Sequence, residues 1–239
     1  EQHFMQMPRH ELIFQKPEFI AKQIRLIDKL EDNPFILSCF EEGDNYAQLA
    51  ICAHIERGDF RKIAGVLVAE DINIMSATVN TRKDGYAIYV FTINEIEYKG
   101  QNTKTSIMAP ARHEKIKETL TIAWKNEKLI EEIVKESNVP PSSQIRTQPS
   151  SEHPEIRFDN TESDQETIID IRTKDKLGLL YAISTILYEL GLNISLAKVT
   201  TQAMMAIDSF YISDQNGEKI RDGIMMEEIQ HKLTEKLMS

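Results

Sequence analysis

The chain has 239 residues, 41% hydrophobic and 28% charged, which suits a globular protein with a sizeable core and excludes a fibrous or wholly disordered one. With 38 acidic against 28 basic side chains the formal charge is −10, which repels phosphate backbones and argues against nucleic acid or anionic membrane as partners. No run of about 18 apolar residues occurs and Glu1-Gln2-His3 opens no signal peptide, so a cytoplasmic location is expected, and a first residue other than methionine suggests a piece of something longer.

In chain order, a helical lead-in is expected over 1–33, because Ile20, Ile24 and Ile27 recur at helical spacing between Pro17 and Leu30. A first domain follows over 34–136. Phe35 to Phe40 and Tyr46 to Ile55 read as strands, and Arg57 to Asp71 as a helix with Phe60, Ile63, Ala64, Leu67 and Val68 on one side. Strands at Ile72 to Thr81 and Tyr86 to Ile93 flank Asp84-Gly85, a strong hairpin signal. Pro110 can open the next helix, which Ile116, Leu120, Ala123, Ile130 and Val134 carry to about Lys135. Residues 137–154 shift to Ser, Pro and Gln and read as a linker. A second domain over 155–239 then repeats the order, with strands at Glu155 to Phe158 and Thr167 to Thr173, a helix from Leu179 to Leu190, strands at Leu192 to Thr201 and Ala206 to Ser213, and a last helix carrying Met226, Ile229, Leu233 and Leu237.

At a constant offset of 120 positions Gly58 meets Gly178, Ile63 meets Ile183, and Asn73-Ile74 meets Asn193-Ile194; at 119, Ala87 meets Ala206 and Phe91 meets Phe210. The chain is thus an internal duplication, which predicts two similar domains packed together. Each has helices to lay on one face of an antiparallel sheet, a ferredoxin-like α+β sandwich. No strand remains after the last helix, so the order ββαββα is expected, with Phe35 to Phe40 and Glu155 to Phe158 taking the absent edge strand's place.

Cys39 and Cys52 flank a turn at Glu41-Glu42-Gly43-Asp44-Asn45; a hairpin there sets Cys39 opposite roughly position 47, so free thiols are expected rather than a disulfide. The six histidines have no metal-ligand spacing, and no phosphate loop or nucleophile elbow is present, so neither a metal nor a catalytic residue is predicted. Glu131-Glu132 and Glu227-Glu228 read as solvated helix faces. The informative segments are Asp175-Lys176-Leu177-Gly178-Leu179-Leu180, where a glycine precedes a helix start able to hold a carboxylate, and Gly191-Leu192-Asn193-Ile194, where that helix ends. Read structurally, Gly191 is only a helix cap and Asn193 a turn former.

The Gly178-Leu179-Leu180 and Gly191-Leu192-Asn193-Ile194 pair, about a dozen residues apart, resembles the ACT domain, a small module that binds amino acids between paired copies. Met7-Pro8-Arg9-His10, Ile156 to Ser163 and Asp208 to Asp214 are similar to the C-terminal region of the bifunctional PII uridylyltransferase/uridylyl-removing enzymes. That resemblance implies a tandem ACT module sensing glutamine, attached to nucleotidyltransferase and phosphohydrolase domains that act on the PII signal protein; their motifs are absent here. No cofactor is implied for this chain, and Mg2+ only for those catalytic domains. Pairing of ACT copies could also make a homo-oligomer. The rival expectation is an assembly module that binds no ligand.

The first copy departs from the family pattern, with Glu56-Arg57-Gly58-Asp59-Phe60 and Asp71 in place of glycine; the second has Leu177 in place of proline. A charged Asp59 would oppose a ligand carboxylate. The expected ligand residues are therefore Asp175, Leu177, Gly178, Leu179, Leu180, Leu192, Asn193 and Ile194, with Gly58, Phe60 and Asn73 a secondary set. Gly178 should offer its amides to the carboxylate and Asn193 a hydrogen bond, and Asn73 should matter less.

Overall fold

The computed structural model describes residues 17–41, 47–95, 110–137, 153–202 and 205–238. The tip of the first hairpin, the Met7-Pro8-Arg9-His10 segment and nearly all of the Pro/Ser-rich stretch lie outside them. The first repeat runs β1 (Phe35–Glu41), β2 (Ala47–His54), α2 (Asp59–Ala69), β3 (Ile72–Thr81), β4 (Tyr86–Glu95) and α3 (Pro110–Lys125), preceded by α1 (Pro17–Asp28) and followed by α4 (Leu129–Glu136). The second runs β5 (Glu155–Asp159), β6 (Thr167–Lys174), α5 (Leu179–Glu189), β7 (Asn193–Gln202), β8 (Met205–Ser213) and α6 (Gly223–Met238). The order is ββαββα twice.

The eight strands among the described residues form one antiparallel sheet in the order β1-β2-β4-β3-β7-β8-β6-β5. The extra strands β1 and β5 take the outer edges, pairing β2 and β6. The repeats join through β3 and β7, with Ser76 opposite Thr200, Thr78 opposite Lys198 and Asn80 opposite Leu196. Thr78 and Lys198 stand 120 positions apart, so this pair marks a pseudo-twofold axis relating the repeats. The duplication reaches into detail: β3 slips register between Ile74 and Ser76, and β7 between Ile194 and Leu196, at equivalent positions.

Alternation along the strands sends Ala77, Val79, Phe91, Ala197, Phe210 and Ile212 into one core beneath the helices. Helices α2 and α5 lie side by side over it, with α3 and α4 against α2 and α6 against α5. Gly65 makes the close approach possible, since a Cβ there would stand 2.7 Å from Ile130 Cγ1 and 2.9 Å from Tyr181 Cε2. Cys39 pairs with Leu49 rather than with position 47, and no disulfide joins it to Cys52.

Three features differ from the sequence reading or refine it. Helix α1 lies on the opposite face of the sheet, where Leu26 and Leu30 pack with Ala50, Cys52, Ile88 and Val90. The helix expected to run unbroken from Pro110 is two helices, because Asn126 turns the chain: its carbonyl accepts the Leu129 N–H and its side-chain oxygen the Lys128 N–H. Asp71 stands where the second repeat has Gly191 and adopts the same left-handed conformation, φ 56° against 80°. Aspartate, like asparagine, tolerates that region better than most non-glycine residues.

Candidate ligand site at the junction of the repeats

Chain reversal from β6 into α5 places Gly178 at the helix N-cap with φ 78°, a left-handed value that favours glycine. Its carbonyl accepts the Ala182 N–H at 2.9 Å, and the Leu179 N–H goes to the Lys176 carbonyl at 3.0 Å. A helix start has N–H groups without carbonyl partners one turn back and the positive end of the helix dipole, so it suits an anion. The first repeat meets this turn across the junction, because β3 is antiparallel to β7 and begins beside the end of β7. Val68 at the end of α2 and Ile72, Asn73 and Ile74 at the start of β3 therefore face residues 175–180. The cleft between them, open to solvent, is floored by Val199 and Thr201 of β7 and Ala206 and Asp208 of β8.

The floor carries the charge. Asp208 is 1% exposed on the helix-covered face of β8, between Ala206 and Phe210. Its Oδ1 accepts only a long hydrogen bond from the Thr200 N–H, 3.4 Å, and its Oδ2 has no hydrogen-bond partner among the described residues. Burial pushes its carboxyl up to about 7 against the pull of the Thr200 N–H, and nearby Asp175 raises it further. Asp175, whose Oδ2 accepts the Thr201 hydroxyl at 2.9 Å, is also raised by burial. Lys176 sends its ammonium to the Lys236 and Leu237 carbonyls at the end of α6, 3.5 and 3.3 Å away. The cleft thus has an anion-attracting helix start at one wall and a buried carboxylate oxygen without a partner at its floor. A buried orphan acceptor of this kind costs stability unless something donates to it.

The family model described as ACR9-like, ACT-like domain matches residues 155–239. The second repeat is an ACT-like domain. Curated relatives extend the likeness upstream: the bifunctional uridylyltransferase/uridylyl-removing enzyme of Rhodospirillum rubrum is 31% identical over 176 residues, 74% of this chain and 18% of that protein. The enzyme of the same name from Azospirillum brasilense is 29% identical over 225 residues, 90% of this chain and 23% of that one. The chain resembles this enzyme family over most of its length, and spans about a fifth of the relatives it matches. Among solved structures, the aspartate kinase from Synechocystis is similar with TM-score 0.42 and 14% identity, over 82% of this chain and 28% of that chain. Among the described residues no helix is long and apolar enough to cross a membrane.

Of the residues expected to bind, Asp175, Leu177, Gly178, Leu179 and Leu180 of the ACT-like domain line the cleft together. Leu192, Asn193 and Ile194 are not among its lining residues: Leu192 is buried, and Asn193 donates to the Asp214 carbonyl at 2.8 Å. Asn73, from the secondary set, takes the place opposite Gly178, its amide donating to the Asn94 side-chain oxygen at 2.9 Å. Gly58 lies under Tyr188, and Phe60 is buried against Tyr89 and Phe91. Sequence reasoning missed Val68, Ile72, Ile74, Val199, Thr201, Ala206 and above all Asp208. The signal for Asp208 was present: it is the one acid at the alternate positions Ala206, Asp208, Phe210 and Ile212, which otherwise point apolar groups inward.

Proposed function

We propose that this chain is a regulatory amino-acid-sensing module, with glutamine the expected effector, of an enzyme that adds uridylyl groups to the PII signal protein and removes them. The observation that carries the reading is the placing of Asp208's unpartnered, buried oxygen in one cleft with the start of α5. An α-amino acid has a carboxylate for the helix start and an ammonium for Asp208, and neither group alone answers both walls. Because the cleft is shared by both repeats, a ligand within it bears on how they pack, and differential affinity for two packings is what biases a distant catalytic domain.

Calorimetry with L-glutamine and the other common L-amino acids, beside glutaramate, which is glutamine without its α-ammonium, tests the reading. Saturable heat with the amino acid is expected, with glutaramate weaker by about tenfold or more. No heat and no thermal stabilisation with any amino acid would overturn it in favour of an assembly module. Asn73→Ala should weaken binding roughly twofold to tenfold, the worth of one hydrogen bond, while Asn193→Ala should leave affinity unchanged. The reverse order would place the ligand at the Gly58 side.

A further inference from the structure

The pseudo-twofold axis through Thr78 and Lys198 generates two glycine turns facing the opposite repeat, yet they are unequal. Resting on the amino-acid reading above, we propose that each chain holds one amino-acid ligand, at Gly178, because the chain's own Tyr188 and Asp59 fill the counterpart at Gly58.

Position 188 is the repeat equivalent of position 68. At Gly178 a Cβ would stand 3.7 and 3.9 Å from the Val68 methyls, an ordinary contact beside open space. At Gly58, with φ 90°, it would stand 2.8 and 3.0 Å from the Tyr188 ring, so not even one carbon fits between turn and ring. That ring is fixed. Its hydroxyl donates to Glu127 at 2.8 Å, the Arg57 and Arg61 guanidiniums lie 4.7 and 5.0 Å from its centroid, and Arg57 also donates to the Tyr188 carbonyl.

The charges have also changed places. The ACT-like domain has Leu179 at the helix start and Asp208 in the sheet, whereas the first repeat has Asp59 at the helix start and Tyr89 in the sheet. Asp59 is 1% exposed but fully answered: Oδ2 accepts the Glu56 N–H at 2.9 Å and the Tyr89 hydroxyl at 3.4 Å, and Oδ1 accepts the Lys62 ammonium at 3.1 Å. A carboxylate and an ammonium, the two groups an amino acid would bring, are thus built into the chain at this turn. The open cleft keeps an unanswered carboxylate; the closed one has no unmet acceptor on Asp59.

The stoichiometry of L-glutamine binding to the 239-residue chain, followed by that of the other common L-amino acids, tests this directly. One ligand per chain on a hyperbolic isotherm is expected, and Val68→Tyr, which copies the closed side onto the open one, should abolish saturable binding. Two ligands per chain would overturn the inference while leaving the amino-acid reading intact, whereas none with any amino acid would overturn both. Should Val68→Tyr disturb folding, Asp208→Asn serves instead: weakened binding at a count of one supports the placement, and full affinity at a count of one contradicts it.

Discussion

Replacing Asp208 by asparagine is expected to weaken amino-acid binding by roughly tenfold to a hundredfold, since a hydrogen bond to a charged partner is worth about 1.5 to 3 kcal/mol. The same change should stabilise the ligand-free chain, most of all above neutral pH. In the folded chain burial holds the Asp208 carboxyl at about 7, against an ordinary value of 3.8. The folded state therefore keeps a proton that the unfolded state releases, so stability from this group is full below about pH 4 and is lost as pH rises to about 7, by at most about 4 kcal/mol. Asparagine has no proton to release. Urea unfolding at pH 5 and pH 8 should show the variant's advantage growing with pH; an equal gap at both would contradict a buried, titrating Asp208. Ligand affinity runs the other way. An ammonium needs the ionised carboxylate, so the wild-type dissociation constant should rise as pH falls below about 7, by up to about tenfold per unit.

Lys62→Met is expected to destabilise the chain by about 3 to 5 kcal/mol, because it strands a buried carboxylate. Both partners are sealed from solvent, with side-chain exposures of 4% for Lys62 and 0% for Asp59. Burial already pushes Asp59 up to about 6 in spite of Lys62, so without the lysine the acid protonates more readily and the loss should be smaller at pH 5 than at pH 8. The second repeat shows the alternative, with Leu179 and Ala182 at the two equivalent positions. Asp59→Leu combined with Lys62→Ala should therefore unfold near the wild-type urea midpoint. If the double change loses as much as the sum of the singles, the two groups are not coupled and the pair is not what closes the first turn.

The 120-position repeat made much of the fold readable: the element order, the matching glycines before α2 and α5, and the edge strands. The placing of α1 was half visible. Ala47 to Ala53 is almost unbroken in apolar residues, the pattern of a strand buried on both faces, and it has Leu49 and Ile51 under the main helices and Ala50 and Cys52 under α1. What a single repeat cannot show is which strands join. Pairing β3 with β7 carries Asn73 across to Gly178 and leaves Asn193 on the far side, so two motifs that are neighbours along the chain serve different clefts. The weight of position 188 was hidden for the same reason: Tyr188 lies on a helix whose periodicity reads as ordinary packing, and only the docking of the repeats sets it over Gly58.

The most direct measurement is a crystal structure of the chain grown with L-glutamine, or with whichever amino acid gives the strongest heat. The α-carboxylate should lie at the first-turn amides of α5 beside Gly178, with the ammonium about 3 Å from Asp208 Oδ2 and Asn73 alongside. Density beneath Tyr188 at Gly58, or an ammonium directed away from Asp208, would contradict it.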